Sequence, residues 1–347
     1  MVNYYLYPDD WAYKEDGSTS SVLDGTDGTV RVHTPKFYGK SGSNGNKRWV
    51  RISLVKLDDS WVEIPELLID AYRNTVDNTV SATPKAVSVV NTTEAFRGGG
   101  NRAQFDEYLT TKLDTKDAFR SDLGKPRTNV SRANMRTYAT NAGSELLCYE
   151  YYKWIFYWNY VIEYANFNSQ AAYNAELTSD GYRQGGLGPG VTDWSNSATS
   201  WSGYNGTYPI TPCGYCNDIG NFTGIKDLVI PECTATNETD TVATKTFKVP
   251  RWRGFDNPFG DIWTNLDGVV IRRTAANEIS SVYTTTNKEE FTDVIGSKTI
   301  AGYEVAQDGY IKEFDLGETA EIIPSSCTGA SATTYICDYH SCNATST

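Results

Sequence analysis

The 347-residue sequence predicts an α+β fold rich in strands. Three observations carry this expectation. Residues 48–55 alternate with period two and are rich in β-branched side chains, the pattern of a half-buried strand. Between Ala142 and Tyr164, apolar residues recur at helical spacing on a wide face. Long tracts of Gly, Ser, Thr and Asn separate these patterns, as connections on a protein surface do.

Taken in order, residues 1–20 are polar and aromatic, suited to an attachment arm. Residues 29–39 and 48–56 read as strands, and the Gly/Ser/Asn stretch 40–47 between them makes a hairpin. An apolar segment follows at 61–71, interrupted by Pro65, and another strand is expected at 83–91. Phe96-Arg97-Gly98-Gly99-Gly100-Asn101-Arg102 is a glycine-rich loop without the Lys-Ser/Thr that a phosphate cradle needs. Helix is expected over 103–123 and 131–178, with Ser131 as an N-cap. Leu146, Leu147, Tyr151, Trp154, Ile155, Tyr157, Trp158, Val161, Ile162 and Tyr164 form the buried face of the second stretch. Residues 179–247 carry no helix signal. Tyr182, Trp194, Trp201, Tyr204 and Tyr208 argue against disorder there, so an insertion with short strands is expected, a candidate surface for partners or glycans. Strands at 268–272, 281–286, 303–306 and 309–312 complete the reading.

Composition narrows the function classes. The formal net charge is -12, and the 31 basic residues are scattered, so wrapping of nucleic acid is disfavoured. The densest basic group, Arg251, Arg253, Arg272 and Arg273, suits solvated loops or ion pairs at the core edge. No apolar run reaches the length of a membrane span, so no membrane insertion is expected. The first residues lack the basic and apolar regions of a secretory signal, which implies synthesis in a cytoplasm. With 24 Tyr and 9 Trp, core volume and recognition surface both fall to aromatics. The 7 cysteines are Cys148, Cys213, Cys216, Cys233, Cys327, Cys337 and Cys342. They are read first as free thiols, with a zinc knuckle on Cys213 and Cys216 or disulfides formed after assembly as alternatives. Catalysis finds few candidates. His33 reads as a structural histidine and His340 as an exposed one. Asp256, Asp261 and Asp267 are the carboxylates that a glycosidase reading needs. The acidic turn from Asp24 to Asp27 matches no calcium loop. No catalytic residue, cofactor or metal is assigned.

The densest signature is Trp252-Arg253-Gly254-Phe255-Asp256-Asn257-Pro258-Phe259-Gly260-Asp261-Ile262-Trp263, continuing to Asp267-Gly268. Its aromatics supply rigid area, and its Gly, Asn and Asp suit tight turns. It resembles the R-G-(hydrophobic)-E/D-N-x-(F/W)-G-N-x-W-x-x-x-D-G signature of a phage family. Those tail- or fibre-associated proteins end in a C-type-lectin-like domain, also called formylglycine-generating-enzyme-like. Three further segments in the family's order strengthen the resemblance: residues 24–38, residues 161–170, and Thr334-Tyr335-Ile336-Cys337-Asp338-Tyr339. The resemblance implies a twisted mixed sheet with two packed helices and long irregular loops. A β-rich attachment region would span 1–95 and the lectin-like domain 96–347, with its insertion at about 179–247. It implies a bacteriophage virion protein without enzymatic activity: a fibre or fibre-tip subunit that recognises a host-surface glycan or protein. Partners would be other virion proteins of capsid or tail, and the chain would be a homo-oligomer, a trimer. The alternatives are a capsid-decorating or head-fibre assembly subunit without ligand binding, and a glycan depolymerase. Ligand binding falls on Tyr335, Asp338, Tyr339 and His340. The structural signature falls on Arg253, Gly254, Asn257, Gly260, Trp263, Asp267 and Gly268. Family members usually continue beyond the segment ending at Tyr339, whereas this sequence stops at Thr347.

Overall fold

A computed structural model describes residues 2–4, 13–14, 21–45, 47–98, 123–165, 174–177, 183–184, 210–234, 237–258, 262, 264–329 and 339–345. It is an α+β structure dominated by small antiparallel sheets, with few helices. Its strands in chain order are β1 (Val2–Tyr4), β2 (Tyr13–Lys14), β3 (Val30–Thr34), β4 (Phe37–Asn44), β5 (Lys47–Ser53), β6 (Val62–Ile64), β7 (Leu67–Asp70), β8 (Thr75–Asp77), β9 (Lys85–Val87), β10 (Phe96–Arg97), β11 (Asn174–Leu177), β12 (Arg183–Gln184), β13 (Gly224–Thr234), β14 (Asn237–Trp252), β15 (Phe255–Asp256), β16 (Val269–Arg272), β17 (Ser280–Thr284), β18 (Thr299–Glu304), β19 (Gly309–Tyr310), β20 (Glu313–Leu316), β21 (Ile322–Ser326) and β22 (Tyr339–His340). Helices α1 (Arg132–Asn141) and α2 (Tyr149–Phe156) stand among them, and α2 runs on as a π-helix over Tyr157–Ala165.

The chain divides into two compact units, each assembled from three separated segments. Unit 1 comprises Met1–Thr34, Leu68–Glu145 and Asp193–Thr264; unit 2 comprises Pro35–Leu67, Leu146–Thr192 and Asn265–Thr347. The expected division after residue 95 falls within the middle segment of unit 1, where β10 pairs with β8.

In unit 1, β3 runs parallel to β1, and its buried residues alternate as period two requires: Val30, Val32 and Thr34. β8 lies between β9 and β10 in an antiparallel sheet. Helix α1 begins where Ser131 accepts a hydrogen bond from Asn134 N at 3.2 Å, the N-cap that the sequence predicts. It buries Met135 and Ala139. β13 and β14 form a long antiparallel hairpin, and β14 turns tightly into β15.

In unit 2, β4 is flanked by β5 and β6, so the expected hairpin forms with a shorter turn than 40–47, because β4 continues to Asn44. Trp154 of α2 lies over Gly39 of β4, where any side chain would stand about 2.3 Å from the indole. Phe37 meets Trp158 edge to face at 5.1 Å. β16, β17 and β18 form a second antiparallel sheet, whose inner side packs Val282 and Ala301 with Ile323.

Two sequence expectations need correction. Residues 131–178 are not one helical stretch. Gly143 takes φ +72° after α1, and residues 147–149 turn their backbone to Asp267 instead: Asp267 N donates to Leu147 O and Tyr149 N to Asp267 O. Residues 174–177 are strand β11. Residues 179–247 hold no merely short strands either, since β13 and β14 are 11 and 16 residues long. The expected helix over 103–123 lies outside the described residues apart from Leu123, as do most of residues 1–20 and the aromatic stretch 185–209.

Candidate ligand-binding pocket

The β8–β9–β10 sheet and α1 of unit 1 border a cavity of about 440 Å³. Small-ligand sites typically span roughly 300–1,000 Å³. Its lining comes from Val76 of β8 and the turn after it (Asn78, Ser81), from Glu94, Ala95 and Arg97 around β10, and from Arg127 and Tyr138. Local hydrogen bonding fixes this frame. Val76 and Arg97 are ladder partners, and Asn78 N donates to Ala95 O at 2.8 Å. Arg127 N donates to Asn74 O at 2.7 Å, which anchors the backbone beneath its guanidinium.

Two arginines line the pocket. Arg97 stands 3.5 Å from Glu94, whose side chain is 88% exposed, so this pair is weak. Arg127 Nη1 donates to Gly98 O at 3.5 Å, while its buried Nε has no hydrogen-bond partner among the described residues. A buried donor without an acceptor costs free energy. The planar fork of arginine matches carboxylate or sulfate oxygens. Tyr138 brings a ring and a hydroxyl, and Asn78 and Ser81 bring further polar groups. The arrangement suits recognition of a small anion carried on a polar body. Of these residues the sequence drew attention to Arg97 alone, in the glycine-rich loop and not as a ligand contact; they come from four separate stretches, and only the fold brings them together.

The signature residues serve the fold of their own units. Arg253 and Gly254 take φ of +46° and +90° between the paired Trp252 and Phe255, a two-residue turn of type I′ in which Gly is preferred. The rings of Trp252 and Phe255 stack at 5.6 Å. Asp256 reaches the Cys213-Gly214-Tyr215-Cys216 turn and accepts from Gly214 N and Cys216 N, each at 2.9 Å. It also pairs with the fully buried Arg251 at 3.2 Å, and Arg251 Nε donates to Gly220 O at 2.6 Å. Its oxygens are thus committed to structure. Burial pushes the Cys216 thiol well up, and the Asp256 carboxylate adds to the shift, so this thiol stays protonated. Asn257, at φ +47°, and Pro258 offer carbonyls to Arg73 at 3.3 and 3.0 Å. Asp267 is buried and holds residues 147–149 through its backbone, and Gly268 follows at φ +77°. Gly260, Asp261 and Trp263 lie outside the described residues.

Of the expected ligand residues, Tyr335 and Asp338 lie outside the described residues, and Tyr339 is placed as the β22 partner of Tyr310. His340 is buried, not exposed as the sequence suggested. Pairing of β22 with β19 turns it inward, with Nδ1 2.7 Å from Gln307 O and Nε2 3.3 Å from Glu304. Arg273 stands 4.0 Å from the same carboxylate. The expectation of core-edge ion pairs holds for Arg251 and Arg273, both buried. Cys148, Cys213, Cys216, Cys327 and Cys342 are buried free thiols, as the first reading of the cysteines anticipated. Among the described residues no group of three or more His, Cys, Asp or Glu is placed to hold a metal ion. Comparison with family models, with curated proteins and with solved structures returned no match.

Proposed function

We propose that this chain is a bacteriophage virion protein without enzymatic activity, a fibre or fibre-tip subunit that recognises an acidic saccharide on the host surface. The family resemblance of four ordered sequence segments supports the virion and lectin-like parts of this reading, including a C-type-lectin-like fold and a trimeric assembly with other virion proteins. The observation that carries the ligand class is the pocket: two arginines, against one glutamate, line it in a chain of net charge -12. A positive pocket on an acidic protein selects for anionic ligands locally while the surface as a whole repels them. A sugar carrying a carboxylate or sulfate meets the arginine fork with its acid group and Tyr138 with its ring.

Calorimetric titration of uronate-, sialate- or sulfate-bearing oligosaccharides against the purified protein tests this. Binding that weakens at least about tenfold in Arg127→Ala is expected, because loss of a hydrogen bond to a charged group costs about 1.5–3 kcal/mol. A chain that is found on particles yet binds none of these saccharides would be an assembly subunit. Turnover of a glycan by the protein would replace the reading with a depolymerase.

A further inference from the structure

We propose that Lys153 and Glu321 join in a spontaneous intramolecular isopeptide bond, with Glu150 as the group that moves the proton. All three residues lie in unit 2. Lys153 Nζ stands 3.4 Å from Glu321 Oε1 and 2.7 Å from Glu150 Oε2. The Lys153 and Glu321 side chains are 2% and 0% exposed, and Glu150, at 14%, is the one that reaches solvent. The buried Trp154 ring lies 5.7 Å from Nζ. In so dry a site an ammonium and a carboxylate cost more to bury than an amine and an acid. Thr319 completes the arrangement. Its N–H donates to Glu321 Oε2 at 2.9 Å, and its hydroxyl meets both Glu321 Oε1 and, at 3.4 Å, Glu150 Oε2. The backbone of Glu321 is fixed as well, since its O accepts from Gly317 N at 2.9 Å. Holding an amine beside a carboxyl group replaces a bimolecular encounter with a unimolecular step.

The chemistry balances without a co-reactant. The Lys153 ammonium gives one proton to the Glu321 carboxylate, leaving an amine and an acid. The Nζ lone pair attacks Cδ, and the carbonyl electron pair moves onto Oε2, where the Thr319 N–H stabilises it. Nζ then loses a proton to Glu150. Glu150 returns a proton through the Thr319 hydroxyl to Oε1, which leaves as water. The pair on Oε2 re-forms the carbonyl, and Glu150 is again a carboxylate. One C–N bond has formed, one C–O bond has broken, and no electrons have been gained or lost. The product ties α2 covalently to the turn before β21 and closes residues 153–321 into a ring.

Intact-mass measurement of the purified full chain under denaturing conditions tests this, followed by tryptic mapping. The expected mass is that of the sequence less one water. An amide on Lys153 blocks trypsin there, so the expected map joins residues 137–183 to residues 313–347. Lys153→Arg is expected at its full sequence mass. Glu150→Gln keeps both reactants and is expected to lose water at least about a hundredfold more slowly, the usual contribution of a positioned acid–base group. A wild-type chain of full mass that trypsin cleaves after Lys153 overturns the proposal and leaves the three groups as an ion pair only. A missing water mapped to any other residues overturns it too. The wild-type mass is decisive, so the result does not hang on a variant folding.

Discussion

Gly268 shows how a single residue bears both a conformation and a close approach. Its φ is +77°, and a Cβ there would meet Thr285 O at 2.5 Å and the Cys148 sulfur at 3.0 Å. Gly268→Ala should destabilise the protein by roughly 1–3 kcal/mol, the cost of forcing a side chain into a left-handed conformation, and a urea-denaturation midpoint would register it. His340 carries a pH dependence. The hydrogen bond to Glu304 is the main cause that raises its pKa, against burial that lowers it. A raised histidine contributes stability that is fully present below its unfolded pKa of about 6.5 and is lost as pH rises through the higher folded value. Thermal midpoints should therefore fall between about pH 6 and pH 8 in the wild type, and Glu304→Gln should flatten that slope. A slope unchanged in the variant would remove His340 and Glu304 as its source.

At the scale of elements, α2 is tied to the turn between β20 and β21 by a buried lysine. Lys153 lies 2.7 Å from Glu150 and 3.4 Å from the fully buried Glu321, and it also donates to Thr319 O. Tyr157, at the start of the π-helix, donates to Ala320 O. Lys153→Met leaves Glu321 buried without its countercharge and should cost about 3–5 kcal/mol in chemical denaturation, whereas Glu150→Gln, nearer solvent, should cost far less. The elements that the sequence revealed were those governed by local rules. Strand β3 followed period two, and Ser131 carried its cap in its own side chain. The elements that it hid depend on distant partners. Nothing near residues 142–148 announces that Asp267 will claim their backbone. The long hairpin of β13 and β14 contains Pro231, Pro250 and many Thr and Lys, a composition that reads as loop until each strand has the other beside it. The pocket went unread for the same reason, although Arg97 stood in the glycine-rich loop, and the aromatic-rich signature drew attention to packing instead of ligand contact.

For the whole molecule, charge sets the conditions of recognition. A pocket holding Arg97 and Arg127 within a chain of net charge -12 should bind an acidic saccharide more weakly as salt rises, since screening reaches about 10 Å at 0.1 M. Arg97→Ala and Arg127→Ala should each reduce that salt dependence in titrations at low and high ionic strength. The interleaving of the two units has a further consequence for how the protein is made. Unit 1 needs Asp193–Thr264 to join Met1–Thr34, and unit 2 needs Asn265–Thr347 to join Pro35–Leu67. A ribosome adding roughly 5–20 residues per second keeps the first strands waiting on the order of ten seconds for their partners. The β2–β1–β3–β7 sheet can pair once residue 70 is made, but the surface it turns to Asp193–Thr264 stays open for that interval, in the reach of neighbouring chains on the same message. Arrested nascent chains ending near residue 190 should remain protease-sensitive, and protection should arrive only after residue 264 has cleared the exit tunnel.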